Sequence, residues 1–389
     1  MILYVSLSPF LTQGPMHPGA PSIVLAPANN SGLQAALRWL ANNQSSDGSY
    51  GAFFEHGAAA AAYALWLNNT SSSRASSTYS WLSTQLDNSS SWFWGSYGEA
   101  DVPGAVLFSM AASENLDLIQ VSSVASNLLQ FQQSNGGFIG YYSTALGQSV
   151  ASSVDTAEAL RGLIDARAIN ATSEQRAVNY LFTLQNPNGS FNLTQSISYD
   201  PIYSQGPEPV SITALVLLSL KDASYSSSDS HVSKALSFLA GTPRYSPITN
   251  DTSAVYSASL AALAFHAYGE NGNAANAIAF ILNRQGPDGG FRDSTRSSSG
   301  SDALDTGWAA IALEQVGSRG ILAAILRNIT TVGLLAGILV LAIVVGSVIF
   351  LVRRKKSNLS AQNSAVAVSG TETSFSSGYV LYYCLRAYG

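Results

Sequence analysis

The chain has 389 residues and a single cysteine, Cys384. One thiol cannot build a disulfide framework or a cysteine-rich zinc or iron–sulfur site. Charge is also scarce: 18 basic and 23 acidic side chains make up 11% of the chain, against about 25% in an ordinary soluble domain. The net charge of −5 argues against a nucleic-acid partner, and there is no basic patch. The four histidines (His17, His56, His231 and His266) lack metal-ligand spacing. No Gly-x-Ser-x-Gly elbow and no phosphate-binding loop occurs. These absences predict no cofactor and no metal.

What is present is apolar and hydroxyl-rich. Apolar residues are 47% of the chain, which opposes intrinsic disorder, and Ser plus Thr number 79. Residues 329–352 contain no charge and almost no polar side chain, and Arg353, Arg354, Lys355 and Lys356 follow at once. As a helix this run spans roughly 36 Å, enough for a bilayer core of about 30 Å. The alternative, a buried core helix, rarely runs so long without a charge. The basic cluster marks the cytoplasmic side. The sequence therefore predicts a single-pass protein of the cell membrane, with its N-terminal domain extracellular and its C-terminus cytoplasmic.

Two counts agree with that orientation. Residues 1–328 carry 13 basic and 22 acidic side chains, so the basic excess sits on the inner flank. Asn-x-Ser/Thr sequons start at Asn29, Asn43, Asn68, Asn69, Asn88, Asn170, Asn188, Asn192, Asn250 and Asn328, with only Asn358 on the other side. Such an excess predicts a glycoprotein exterior. Residues 2–11 are apolar but short, broken by Pro9 and without a basic flank, so 1–31 reads as a poor signal peptide or a truncated start. The expected organisation is an N-terminal segment 1–31, a helical domain 32–317, a juxtamembrane stretch 318–328, the span 329–352 and a tail 353–389. The aromatic end at 379–388 has no account.

Within the large domain one pattern recurs. An amphipathic stretch ends in Gln, a turn follows, then Gly-Ser or Gly-Gly and an aromatic. It appears as Gln44-Ser45-Ser46-Asp47-Gly48-Ser49-Tyr50, as Gln185-Asn186-Pro187-Asn188-Gly189-Ser190-Phe191 and as Gln285-Gly286-Pro287-Asp288-Gly289-Gly290-Phe291. A copy one residue shorter runs from Gln133 to Phe138, and weaker copies join Trp81-Leu82 to Gly95-Ser96-Tyr97 and Phe238-Leu239 to Tyr245. The reference positions 44, 86, 133, 185, 243 and 285 lie 42 to 58 residues apart. Ala177, Leu181 and Leu184 share one helical face. Asp-Gly or Asn-Gly then stops the helix, since glycine accepts the left-handed conformation. The Gln side chain can bond the loop backbone, and the aromatic can pack back on it.

After each copy comes a second segment, at 57–67, 102–112, 156–164, 210–220, 253–265 and 306–313. Several are apolar on nearly every side, as a helix enclosed all round must be. Each unit is thus an outer amphipathic helix followed by an inner buried one, and stacked units bury each other's faces. From about Leu33 to Val316 these units resemble the repeats of the terpenoid cyclase and protein prenyltransferase superfamily, with Phe or Tyr where the cyclases usually have Trp. The resemblance implies an all-α fold: an α/α toroid of six inner parallel helices ringed by six outer ones, to which the sequence adds one C-terminal transmembrane helix. The competing arrangement is an open solenoid whose first and sixth units do not touch.

The superfamily's chemistry transfers poorly. Squalene-type cyclases use Asp-x-Asp-Asp-Thr at an inner-helix start. Here Ser152-Ser153-Val154-Asp155-Thr156 keeps only the last Asp, and Asp302-Ala303-Leu304-Asp305-Thr306 lacks the middle one. The prenyltransferase zinc site and the thioester of complement-like toroids each require a Cys, and the only one follows the predicted span. What remains is a set of acidic residues near inner-helix starts: Glu55, Glu99, Asp101, Asp155, Glu208, Asp251, Asp302 and Asp305. Their ordinary role is helix capping, worth about 1 kcal/mol each. The sharper reading gathers Asp155, Asp305 and Glu55, beside His56, at one mouth as acid/base candidates for a sugar, or as ligands for a cation. Aromatics such as Trp66, Trp92, Tyr256 and Trp308 either line an apolar cavity or fill the core. The sequence thus favours a surface module binding a lipid, glycan or protein, with a toroid-superfamily enzyme acting on a terpenoid or polysaccharide as the alternative.

Overall fold

The computed structural model describes residues 31–318, except 52–53, 70–71, 88–90, 93–98, 144–146, 196–208, 243–254 and 293–299. The chain divides at Leu322/Ala323, and all described residues fall in the first unit. The predicted span at 329–352 lies outside them. No described helix is long and apolar enough to cross a membrane.

Among the described residues twelve α-helices alternate in character. The outer ones are α1 (Ser31–Asn43), α3 (Ser73–Thr84), α5 (Val121–Gln130), α7 (Ala171–Thr183), α9 (Ser230–Ala240) and α11 (Asn271–Leu282). Each buries a single stripe, for example Val232, Ala235, Leu236 and Leu239 on α9. The inner ones are α2 (Phe54–Asn68), α4 (Asp101–Ala112), α6 (Ser153–Asp165), α8 (Pro209–Asp222), α10 (Val255–Ala267) and α12 (Ala303–Ala312). Ten consecutive residues of α12 are buried. Nothing in such a helix can face water, and apart from Asp305 and Thr306 at its start its sequence is apolar or small on every side.

The inner helices form a closed ring. Packing runs α2–α4–α6–α8–α10–α12 and back from α12 to α2. C-terminal halves of neighbours lie side by side, as in the pairs Tyr63–Phe108 and Arg161–Asp222, so the helices run parallel. Gly307 of α12 touches Ala60 and Ala61 of α2, where a Cβ would come within 2.8 Å of the Ala60 carbonyl carbon. The open solenoid is thereby excluded: the first and last units meet.

The repeated Gln works as a staple between units. Gln185 Nε2 donates to Gly189 O (3.2 Å) in its own turn and to His231 O (2.8 Å) at the start of the next outer helix. Gln44 reaches Arg74 O and Thr78 Oγ1 in the same manner. Gln285 does this across the ring's end, donating to Gly289 O (2.8 Å) and to Gly32 O (2.7 Å) of α1. In the third unit the staple is Gln132, which donates to Gly136 O (3.0 Å) and Ser173 O (2.8 Å). The expected copy at Gln133 was therefore one residue out of register, and the third turn has full length. Gln132 and Gln185 also form isolated bridges to the aromatics six residues on, Phe138 and Phe191.

Those aromatics tie each outer helix to the inner one that follows. Tyr50, Phe138, Phe191 and Phe291 are buried. Tyr50 OH donates to Leu40 O (3.0 Å), and Trp92 Nε1 makes the equivalent bond to Leu82 O (2.8 Å), ten residues back in each case. Trp92 thus holds in the second unit the place that Tyr50 holds in the first, and the expected copy at Gly95-Ser96-Tyr97 lies outside the described residues. The N–H groups of Phe138, Phe191 and Phe291 donate to the hydroxyls of Thr156, Thr213 and Thr306 in the first turns of inner helices (2.9, 3.1 and 2.9 Å). The connecting segments differ in length, yet each ends in the same bond.

At the opposite end, four inner helices finish in the same turn. The N–H groups of Asn115, Ala168, Tyr225 and Glu270 reach back five residues to Met110, Leu163, Leu220 and Phe265 (2.8 to 2.9 Å). The residue before each takes a left-handed conformation: Glu114, Arg167, Ser224 and Gly269. This is the Schellman arrangement, three times without the usual glycine.

The third connection departs from the all-helical expectation. Strands β1 (Phe138–Ser143) and β2 (Gln148–Ser152) form an antiparallel hairpin with a bulge between Ile139 and Tyr141. It leads directly into α6, the inner helix that carries the most charge.

Candidate functional site

The candidate acids separate once placed on the ring. Asp155 and Asp305 occupy equivalent third positions of α6 and α12, each with its backbone N–H on the N-cap side chain, Ser152 Oγ (3.1 Å) or Asp302 Oδ1 (2.9 Å). Those two helices stand three steps apart either way round, on opposite sides of the ring. Both residues are buried. Glu55 is half-buried in the first turn of α2. The structure does not assemble the three into one catalytic group.

Asp155 has a different task. Its Oδ1 accepts the N–H groups of Ala100 (3.1 Å) and Asp101 (3.0 Å), and its Oδ2 accepts the Ser152 hydroxyl. Ala100 is the N-cap of α4 and offers no side-chain cap of its own. The carboxylate of α6 therefore caps the neighbouring inner helix, satisfying amides that would otherwise be orphaned. The Ala100 N–H is shared with Ile139 O of β1 (3.0 Å), so the hairpin holds the same corner. Asp101 uses its own carboxylate on the Val102 N–H (2.6 Å).

One turn further along α6, two residues bring chemistry that the sequence reading passed over. Glu158 has no exposed surface, and among the described residues neither of its oxygens has a hydrogen-bond partner. His56 Nε2 of α2 lies 3.9 Å from Glu158 Oε1. Helices α2 and α6 are not ring neighbours, so this contact passes through the ring interior. Arg161, also buried, pairs through Nε with Asp222 of α8 (2.8 Å) and lays its guanidinium over Phe108 of α4, 3.9 Å from the ring centroid. The signal for both was available: two charges three residues apart, following Asp155 at the same interval, inside a helix that must be enclosed.

Burial dominates the protonation of this group. It pushes Glu158 up to about 7, opposed by the Arg161 charge and reinforced by Asp101 and Asp222. Asp101 rises to about 6 through burial, and Asp165, at the end of α6, to about 6 through burial and the Asp222 charge. Asp155 is raised well above the usual carboxylate range, first by burial and then by the neighbouring Asp101, despite three hydrogen bonds that favour its ionised form.

Aromatic side chains pack between the inner helices on the α2, α4, α10 and α12 side of the ring. Tyr63 meets Phe108 edge-on and stacks on Trp66, and Trp308 meets Tyr256 edge-on. Among α2, α4 and α12 the remaining cavity is about 10 Å³, lined by His56, Tyr63, Ala105, Phe108, Ser109 and Trp308 among others. That is about the room for one water molecule. Among the described residues no group of three His, Cys, Asp or Glu could hold a metal ion.

Comparison with known proteins supports the architecture. Residues 110–290 match the family model of the A-macroglobulin TED domain, a stretch that contains no cysteine. No curated protein matches the chain. Among solved structures, a protein from Actinoplanes is similar with a TM-score of 0.56 at 15% identity, covering 74% of this chain and 99% of that one. The type II terpene cyclase MstE from Scytonema gives 0.55 at 14%, covering 74% and 98%. A novel alpha-amylase from Clostridium perfringens gives 0.55 at 11%, covering 74% and 99%. At these identities the likeness is one of fold: the chain is an α/α toroid.

Proposed function

We propose that this chain is a cell-surface toroid, held by one membrane-spanning helix at 329–352, that binds a partner through its outer surface. The observation that carries this reading is the close packing among α2, α4 and α12. Tyr63, Phe108 and Trp308 close the space among α2, α4 and α12, leaving a cavity of about 10 Å³ there. A larger hollow, of about 330 Å³, opens to solvent at the α8–α9 turn, lined by Ser224, Tyr225, Ser226, Ser228 and Asp229. Asp155, the remnant of the cyclase motif, is engaged in capping α4. The anchor rests on the uncharged run and the basic cluster that follows it. An exported, glycosylated surface is supported by sequons at exposed Asn43, Asn68, Asn69, Asn170 and Asn188. Asn192 is half-buried and bonded to Asn186, which makes it a poor acceptor.

Native mass spectrometry of the full-length chain released from detergent tests the binding reading. The expected spectrum shows the glycosylated polypeptide without a stoichiometric small molecule. A copurifying lipid, terpenoid or oligosaccharide would place the function in the interior instead. Protease protection in intact cells tests the topology: the helical domain should be cleaved from outside.

One observation favours the enzymatic alternative. Glu158 and His56 form an enclosed acid/base pair of the kind a toroid enzyme needs to move a proton. The folds of MstE and the alpha-amylase lend support to a terpenoid or a polysaccharide as substrate. On that reading, turnover of either class is found and is lost in Glu158→Gln.

A further inference from the structure

The charge on α6 is not isolated. Asp155, Glu158, Arg161 and Asp165 follow one another at helical spacing along the helix that Asp101 of α4, His56 of α2 and Asp222 of α8 face. Five carboxylates thus stand with one permanent cation, Arg161, and one histidine. Arg161 is already paired with Asp222 at 2.8 Å. The other groups on packed elements do not redress the balance. Lys221 of α8 lies 5.2 Å from the Tyr268 ring centroid. Arg176 of α7 donates to Gln133 O (2.5 Å), and Glu174 adds a further acid to the first turn of that helix. Glu55 and Glu99 stand half-buried at the starts of α2 and α4. Glu158, fully enclosed and with no hydrogen bond to either oxygen among the described residues, cannot remain ionised there without cost.

We propose that this column is a proton-binding site built into the ring, so that the toroid is most stable in acid and loosens as its interior carboxyls ionise. The structural support is two buried carboxylates, Asp155 and Glu158, with the half-buried Asp101, Asp165 and Asp222 beside them, against the one buried cation Arg161, and the raised values of Glu158, Asp101 and Asp165 agree with it. The direction follows from linkage. Each of these groups holds its proton more tightly folded than unfolded, where carboxyls titrate near about 4. The extra stability is complete below about pH 4 and is lost as the pH rises through the folded values, about 6 to 7. Stability should level off above that window. The site deepens no claim about a ligand: it makes an acidic exterior the natural setting of the fold, whichever partner the surface binds.

The test is thermal unfolding of the full-length chain in detergent between pH 4.5 and 8. The melting temperature should fall by roughly 10 °C over that range, and by visibly less in Glu158→Gln, which mimics the protonated acid. A melting temperature that is flat or rises with pH would overturn the proposal, as would a Glu158→Gln profile that superimposes on the parent. Infrared difference spectra provide a readout that does not depend on the variant folding. A protonated-carboxyl band should be present at pH 6 and lost by pH 8; its absence at pH 6 would refute the site.

Discussion

The joint between the fourth and fifth units and the seam between the sixth and the first use the same parts. At the joint, Gln185 ties α7 to His231 of α9; at the seam, Gln285 ties α11 to Gly32 of α1. Gly189 and Gly289 both take positive φ, 94° and 87°. What differs is the intervening chain, 46 residues at the joint and 253 at the seam. On the logarithmic scaling of loop entropy, closing the longer loop costs about 1.5 kcal/mol more. The seam carries bonds that offset a cost of this size. Trp39 Nε1 donates to Asp288 Oδ2 (2.9 Å), and Gln315 Nε2 of the turn after α12 donates to Tyr63 OH (3.2 Å). The exposed bond to the Asp288 carboxylate and the neutral one to Tyr63 each contribute about 1 kcal/mol net. The comparison teaches that a ring of repeats needs no special lock, only one more copy of its staple and a small supplement.

Substitutions can break that equivalence, and urea unfolding of the full-length chain in detergent measures each. The largest effect is expected at Gly189→Ala. Its Cβ would collide with the Lys234 carbonyl at positive φ, a loss of about 3 kcal/mol or more. Gly289→Ala meets Ala35 O at 3.0 Å, a looser approach, and should cost less than its counterpart. Gln185→Ala and Gln285→Ala each leave two carbonyls without their donor, about 2 kcal/mol, and Gln185→Ala also loses the Oε1 contact with His231 Nδ1 (2.6 Å), so the joint variant should cost slightly more than the seam variant. A seam variant twice as damaging would show that closure depends on that staple alone. Trp39→Phe removes only the seam's supplement, for about 1 kcal/mol. Arg167→Gly touches neither and relieves a left-handed residue (φ 55°), so it should stabilise by about 0.5 kcal/mol.

The fold was legible because its governing features are local. Gln, turn glycine and aromatic fall within seven residues, and enclosure of the inner helices shows as unbroken apolar sequence. The errors came where local pattern offered two solutions. Gln132 and Gln133 are adjacent, and only the bonds to Gly136 O and Ser173 O distinguish them. Trp92 has no glycine-led turn before it, and only its bond to Leu82 O shows that it matches Tyr50. The β1–β2 hairpin has no marker that separates it from the other connections. The site was less legible still. Asp155 was visible as an acid, but its caps are the backbone amides of a helix 54 and 55 residues away. Glu158 and Arg161 sat within a stretch read as uniformly buried. That reading was right about their burial, while their charge, which makes them unusual there, went unweighed.

Closure of the ring is the claim on which the packed interior and the proton site both depend. Electron–electron double resonance on the full-length chain tests it directly, with Cys384 replaced by Ser and spin labels at exposed positions. One pair spans the seam, Arg38→Cys with Asn283→Cys; the other spans the joint at equivalent places, Ser237→Cys with Thr183→Cys. A closed toroid predicts the same short, narrow distance distribution for both pairs. A long or broad distribution at the seam beside a narrow one at the joint would contradict it.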